Sequence, residues 1–121
     1  MEEWKTDFDW LQIRHFIKDT FSRSELPDLN SILYLIGIQE VNLLKKNLTK
    51  EEKQDLMHVA TCHLLSFQGI FEFVGMDDEG WPHYKQVKTV QIQGEKAQES
   101  LLKQCIISYF SDSSKLAFHE N

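Results

Sequence analysis

Cysteine, proline and glycine are all scarce in this sequence of 121 residues, which has two cysteines, two prolines and five glycines. A small secreted domain usually carries several disulfides, so the two isolated thiols of Cys62 and Cys105 indicate a reducing compartment. The opening residues MEEWKTDFDW are acidic and lack both the basic and the apolar segment of a signal peptide. We therefore expect a cytoplasmic protein.

Long apolar runs and an excess of basic charge are also missing. The longest apolar run covers residues 32–38, whereas a helix that spans a bilayer needs roughly 20 apolar residues. The 13 basic and 19 acidic residues give a net charge of -6, which repels nucleic-acid phosphates and anionic lipids. Neither a membrane nor a nucleic acid is an expected partner.

The apolar residues that are present, 41% of the chain, follow helical spacing for most of its length. Repeats of three and four residues predict amphipathic helices over 8–22, 28–44, 50–67 and 95–111. The third helix begins with the capping-box sequence TKEE, in which Thr49 and Glu52 can satisfy each other's backbone N–H groups. These patterns predict a mainly α protein.

Residues 69–93 have a different character, with aromatic and β-branched residues on both sides of the turn-rich segment MDDEGWP. The predicted fold is a four-helix bundle-like single domain with a β-hairpin, or a hairpin-like loop, inserted before the last helix. Within it we expect a helical extension over 1–24, a helical core over 26–112 and a flexible tail over 113–121.

The segment DLMHVATCHLL, residues 55–65, concentrates chemically reactive side chains on the third helix. Asp55, His58 and Cys62 lie at helical spacing on one face, whereas His63 falls about 100° away on the inner face. A structural zinc site needs a second pair of ligands, which the sequence does not supply. A second hypothesis for this segment is a nucleophilic thiol, in which His58 acts as the base that activates Cys62.

Glu40 is the acidic residue that fits its surroundings least, because it occupies the inner face of the second helix. A charge there needs a partner: a histidine or lysine, a backbone N–H group, or a metal ion. A structural pair is the favoured interpretation. The alternative is a mononuclear metal site or an acid–base site formed by Glu40, Asp55 and His58, with His83 supplied by the hairpin.

The hairpin carries a second cluster, Trp81, His83 and Tyr84, which we predict to be binding residues. Tryptophan and tyrosine contribute strongly to interfaces, although Trp81 can equally pack onto the helices. The preceding acidic residues 77–79 lack the alternating ligands of a calcium-binding loop.

Three motifs, LIGIQE, EEKQDLMHVATCHLL and GMDDEGWPHY, resemble a small family of uncharacterised bacterial proteins. The resemblance covers roughly residues 26–112 and implies a bacterial source. It implies no activity, cofactor or site residue.

The sequence contains no complete catalytic set and none of the common nucleotide-binding or hydrolase motifs. The predicted function is a binding or assembly module without enzymatic activity and without a required cofactor, with a protein partner or a second copy of the chain bound through the hairpin and the last helix. One alternative is a metal-dependent or thiol enzyme with its site between the second and third helices. Another is an acidic inhibitor, of the immunity-protein type, for a basic partner.

Overall fold

The computed structural model describes residues 3–41, 47–89 and 94–111. These residues form four helices and two strands in the order α1 (Glu3–Thr20), α2 (Leu29–Val41), α3 (Lys50–Ser66), β1 (Phe71–Met76), β2 (Pro82–Gln86) and α4 (Gly94–Ser111). The predicted fold class is confirmed: the protein is mainly helical, with an antiparallel hairpin before the last helix. None of the helices in these ranges combines the length and apolar character that crossing a bilayer would require.

The first helix is longer at its start than the sequence predicts. The first helix begins at Glu3 rather than at residue 8, and Thr6 within the added turn is buried. The predicted end of the second helix at residue 44 and the predicted tail over 113–121 lie outside the described residues.

The chain divides into two compact units, one made of Met1–Leu29 with Gln93–Asn121 and the other of Asn30–Ile92. In the first unit α1 packs against α4, so the first helix has a partner within its unit, whereas the sequence analysis treated it as an extension. The rings of Phe16 and Phe110 meet edge to face with centroids 6.4 Å apart, and Lys103 Nζ lies 5.5 Å from the Trp10 ring.

The end of α1 has a local cause that the sequence analysis did not identify. Ser22 adopts a left-handed conformation with φ of 53°, and the Arg23 N–H donates to the Lys18 carbonyl at 2.9 Å. This is the Schellman arrangement that commonly ends a helix. The helix therefore ends at Thr20, two residues before its predicted end.

The second unit contains α2, α3 and the hairpin. Gly37 of α2 lies directly against the backbone of α3, because a Cβ at this position would overlap the Leu56 carbonyl. The two helices therefore approach each other closely at Gly37. At the start of α3 the capping box is confirmed: Glu52 N–H donates to Thr49 Oγ1 at 3.1 Å, and Thr49 N–H donates to Glu52 Oε1 at 2.9 Å.

The hairpin packs on α3 through both strands, and its register places Phe73 opposite Tyr84 and Gly75 opposite His83. A β-bulge between Phe73 and Gly75 leaves Val74 as the extra residue of β1. The inner side of the hairpin joins the core, because Trp81 and Tyr84 pack against the buried cluster Val41, Leu56 and Val59. This packing compensates for the marginal stability of a lone hairpin.

Candidate functional site

A cleft of about 330 Å³ opens between α3 and the hairpin, within the second unit. Four lining residues come from α3 and six from the hairpin: Asp55, His58, Val59, Cys62, Asp77, Glu79, Trp81, Pro82, His83 and Tyr84. The fold thus brings the α3 candidates of the sequence analysis together with all three predicted binding residues of the hairpin. Glu40 is not among the lining residues.

Cys62 and His58 are in contact, with Sγ and Nε2 3.5 Å apart. The Cys62 side chain is nonetheless almost completely buried, and this burial raises the pKa of its thiol above the ordinary value. A nucleophilic cysteine requires the opposite, a thiol whose pKa is lowered and which is accessible. The predicted spatial pair exists, but its surroundings favour the neutral thiol.

Glu40 lies next to a histidine, which is one of the partners predicted for this carboxylate. His63 Nε2 lies 3.5 Å from Glu40 Oε1, and His63 Nδ1 lies 3.2 Å from the Tyr84 hydroxyl. Burial raises the pKa of Tyr84, and the negative charge of Glu40 raises it further. Tyr84 therefore keeps its proton at neutral pH, and its hydroxyl can donate a hydrogen bond to His63 Nδ1.

Asp77, like Glu79, is one of the lining residues that were not predicted from the sequence. Its Oδ1 accepts from the backbone N–H groups of Glu79 and Trp81, both at 2.9 Å, and its Oδ2 lies 2.9 Å from His83 Nε2. The His83 contact is the main reason that the pKa of Asp77 is lowered, followed by the Trp81 N–H. The available signal was the order Asp-x-x-Gly, which is typical of a turn closed by an aspartate side chain.

The candidate metal ligands do not converge. Within residues 3–41, 47–89 and 94–111, no three histidine, cysteine, aspartate or glutamate side chains are arranged to hold a metal ion. Glu40 contacts His63 and does not line the cleft, whereas His83 lines the cleft with Asp55 and His58 but is paired with Asp77.

The cleft has an acidic lining. Three carboxylates and two imidazoles contribute to it, and none of its ten residues is a lysine or an arginine. The Asp77 carboxylate is occupied by donors of the turn. In the described part of the chain, the side chains of Asp55 and Glu79 make no hydrogen bond or ion pair.

The sequence matches no known family model, and no curated protein or solved structure shows significant similarity to it. The resemblance to a small bacterial family therefore stays a prediction.

Proposed function

We propose that this protein is a binding module without catalytic activity, and that its ligand site is the cleft between α3 and the hairpin. The observation that carries the proposal is the composition of the cleft, in which Trp81 and Tyr84 stand beside several polar side chains. Ligand sites are typically concave, begin at about 300 Å³ and combine aromatic walls with a few polar groups.

The walls of the cleft are held in place by contacts that do not involve a ligand. Asp77 holds the turn next to Trp81, and His63 holds the Tyr84 hydroxyl. Trp81 and Tyr84 also pack against the buried cluster beneath them. A site fixed in this way loses little conformational freedom when a ligand binds, which favours affinity.

The test is a screen of small neutral, cationic and anionic fragments against the 15N-labelled protein, read by amide chemical shifts. We expect the shifts caused by fragments to cluster at the lining residues. His58→Tyr places a bulky ring at the cleft and should abolish these shifts. Gln54→Tyr makes the same change at an exposed position of α3 outside the lining and should leave them intact. A screen in which no fragment moves the cleft amides would refute the proposal.

Self-assembly is a second candidate, favoured by apolar side chains that the hairpin leaves exposed. Phe73, Val74 and Met76 are 52%, 54% and 59% exposed. Exposed apolar groups that lie together commonly mark an interface. If a second copy binds here, light scattering will give the mass of a dimer, and Val74→Lys will convert it to a monomer. Phe8→Lys changes an equally exposed apolar residue of α1 and serves as the control.

A thiol or metal-dependent enzyme is the competing class, and the contact between Cys62 and His58 is the observation in its favour. Elemental analysis of protein purified without a histidine tag tests the metal-dependent enzyme, and the reactivity of Cys62 tests the thiol enzyme. If the protein contains near-stoichiometric zinc, iron or manganese and the His58→Ala variant does not, the binding proposal is contradicted in favour of a metal-dependent enzyme.

We also infer that the protein acts in the cytoplasm. Neither cysteine forms a disulfide, and both are buried, which suits a reducing compartment. Fractionation of the source cells tests this inference, and recovery of the protein from an oxidising compartment would contradict it.

A further inference from the structure

We propose that the cleft binds a guanidinium group, carried either by a small molecule or by an arginine side chain of a protein partner. The inference rests on the proposed binding function and adds the chemical class of the ligand. Its basis is the pairing of two carboxylates from different elements with two aromatic side chains in one cleft.

The charge of the lining selects for a cation. Asp55 on α3 and Glu79 in the hairpin turn both line the cleft, and neither side chain is engaged by another described residue. A cation that binds both carboxylates replaces water around two charges that have no partner among the described residues, whereas both charges repel an anion.

The aromatic residues favour a planar cation over a compact one. A guanidinium is weakly hydrated, stacks on tryptophan and tyrosine rings, and offers a fork of N–H donors that matches carboxylate geometry. Trp81 and Tyr84 supply the rings, while Asp55 and Glu79 supply the acceptors. An ammonium ion can use the carboxylates but is more strongly hydrated and lacks the planar face.

The dimensions of the cleft agree with a ligand of this size. A volume of about 330 Å³ is near the lower limit for small-molecule sites, so the cleft suits one side chain rather than an extended peptide. The net charge of -6 adds long-range attraction for a basic partner, as the predicted acidic-inhibitor alternative requires.

The first experiment compares ethylguanidinium with ethylurea, a neutral isostere, by amide chemical shifts of the full chain. We expect ethylguanidinium to bind in the millimolar range with shifts at the cleft and to weaken as salt is added, because the attraction is electrostatic. Ethylurea should cause no comparable shifts. Equal binding of the two compounds, or no cleft shifts with ethylguanidinium, overturns the guanidinium assignment.

Charge-neutral variants locate the cation. Asp55→Asn and Glu79→Gln should each weaken ethylguanidinium about 5- to 10-fold, since each removes one charge-assisted hydrogen bond. Glu51→Gln on α3 and Asp78→Asn in the turn remove the same charge at exposed positions outside the lining, and each should change binding less than 2-fold, as roughly expected for screened charges. Equal effects of the cleft variants and the controls would mean that only the overall charge attracts the ligand, and would overturn the proposal.

A pair of short peptides identifies the source of the group. One peptide contains arginine, and the other contains citrulline, its neutral isostere, at the same position. If the arginine peptide binds at least 10-fold tighter than ethylguanidinium, the natural ligand is an arginine of a protein partner. If the two affinities are equal, the natural ligand is a small molecule. If neutral or anionic fragments bind in the cleft and ethylguanidinium does not, the proposed binding function is supported and the guanidinium assignment is wrong. If no fragment binds in the cleft, the proposed binding function and the guanidinium assignment are both wrong.

Discussion

The imidazole of His63 lies 3.5 Å from the carboxylate of Glu40 and so provides a partner for the acidic residue on the inner face of α2. The same ring contacts the Tyr84 hydroxyl through its other nitrogen, at 3.2 Å. One histidine thus connects α2, α3 and β2. A histidine partner for Glu40, which is one of the predicted alternatives, is therefore present.

The first prediction concerns this contact. Glu40→Gln should lower the free energy of unfolding by about 0.5–1 kcal/mol, because both side chains are only partly shielded from water and solvent screens the pair. The measurement is urea denaturation at neutral pH. In a His63→Gln background the same change should cost nothing measurable, and a cost that persists there would show that Glu40 acts through another group.

The second prediction concerns the Cys62 thiol. Because burial raises its pKa, the thiol stays protonated at neutral pH. Its alkylation by iodoacetamide should therefore be slower than the alkylation of an exposed cysteine in a short peptide. The rate should rise only above the ordinary thiol pKa of 9.0. Mass spectrometry of the Cys105→Ser variant follows Cys62 by itself. Rapid alkylation at neutral pH, slowed by His58→Ala, would instead indicate an activated nucleophile.

The third prediction concerns the contact between α2 and α3. Gly37→Ala should lower the free energy of unfolding by about 2–3 kcal/mol, since the added methyl group would overlap the Leu56 carbonyl and force the helices apart. Asn30→Ala is the control, at an exposed position of the same helix, and should change stability by less than about 0.5 kcal/mol. Thermal and urea denaturation measure both. A neutral Gly37→Ala variant would contradict the close approach.

The fourth prediction concerns Asp77 and pH. Its pKa is lowered in the folded hairpin, so its stabilising contribution is complete above the ordinary aspartate pKa of 3.8 and is lost as the pH falls through the lowered value. The amide signals of Glu79 and Trp81 should therefore change together in an acid titration. Asp77→Asn should remove this coupled change, whereas Asp78→Asn should preserve it. Amides that titrate identically in both variants would refute the role of Asp77.

Local patterns were enough to predict the elements of this fold. The helical periodicity, the capping box at Thr49 and the turn around Gly80 each depend on residues close in sequence, and all are present in the structure. The left-handed Ser22 was not predictable, because serine has no marked preference for that conformation.

The site was only partly predictable, because some of its contacts join residues of one helix and others join different elements. Helical spacing grouped Asp55, His58 and Cys62 correctly, because three- and four-residue separations fix neighbours on a helix. The pairing of Glu40 with His63 depends on how α2 crosses α3, which no local pattern specifies. The role of Asp77 was overlooked because an acidic turn residue is usually solvated. Its two contacts with backbone N–H groups and its contact with the His83 ring form only in the folded hairpin.

The contact between His63 and Tyr84 has a consequence for the order in which the protein folds. The capping box of α3 joins residues three positions apart, so it can form as soon as that helix nucleates. The His63–Tyr84 contact joins residues 21 positions apart and must wait until the intervening chain has closed. We therefore expect α3 to form early and the hairpin to dock on it late, so that in kinetic experiments Thr49→Ala slows refolding while Tyr84→Phe mainly accelerates unfolding.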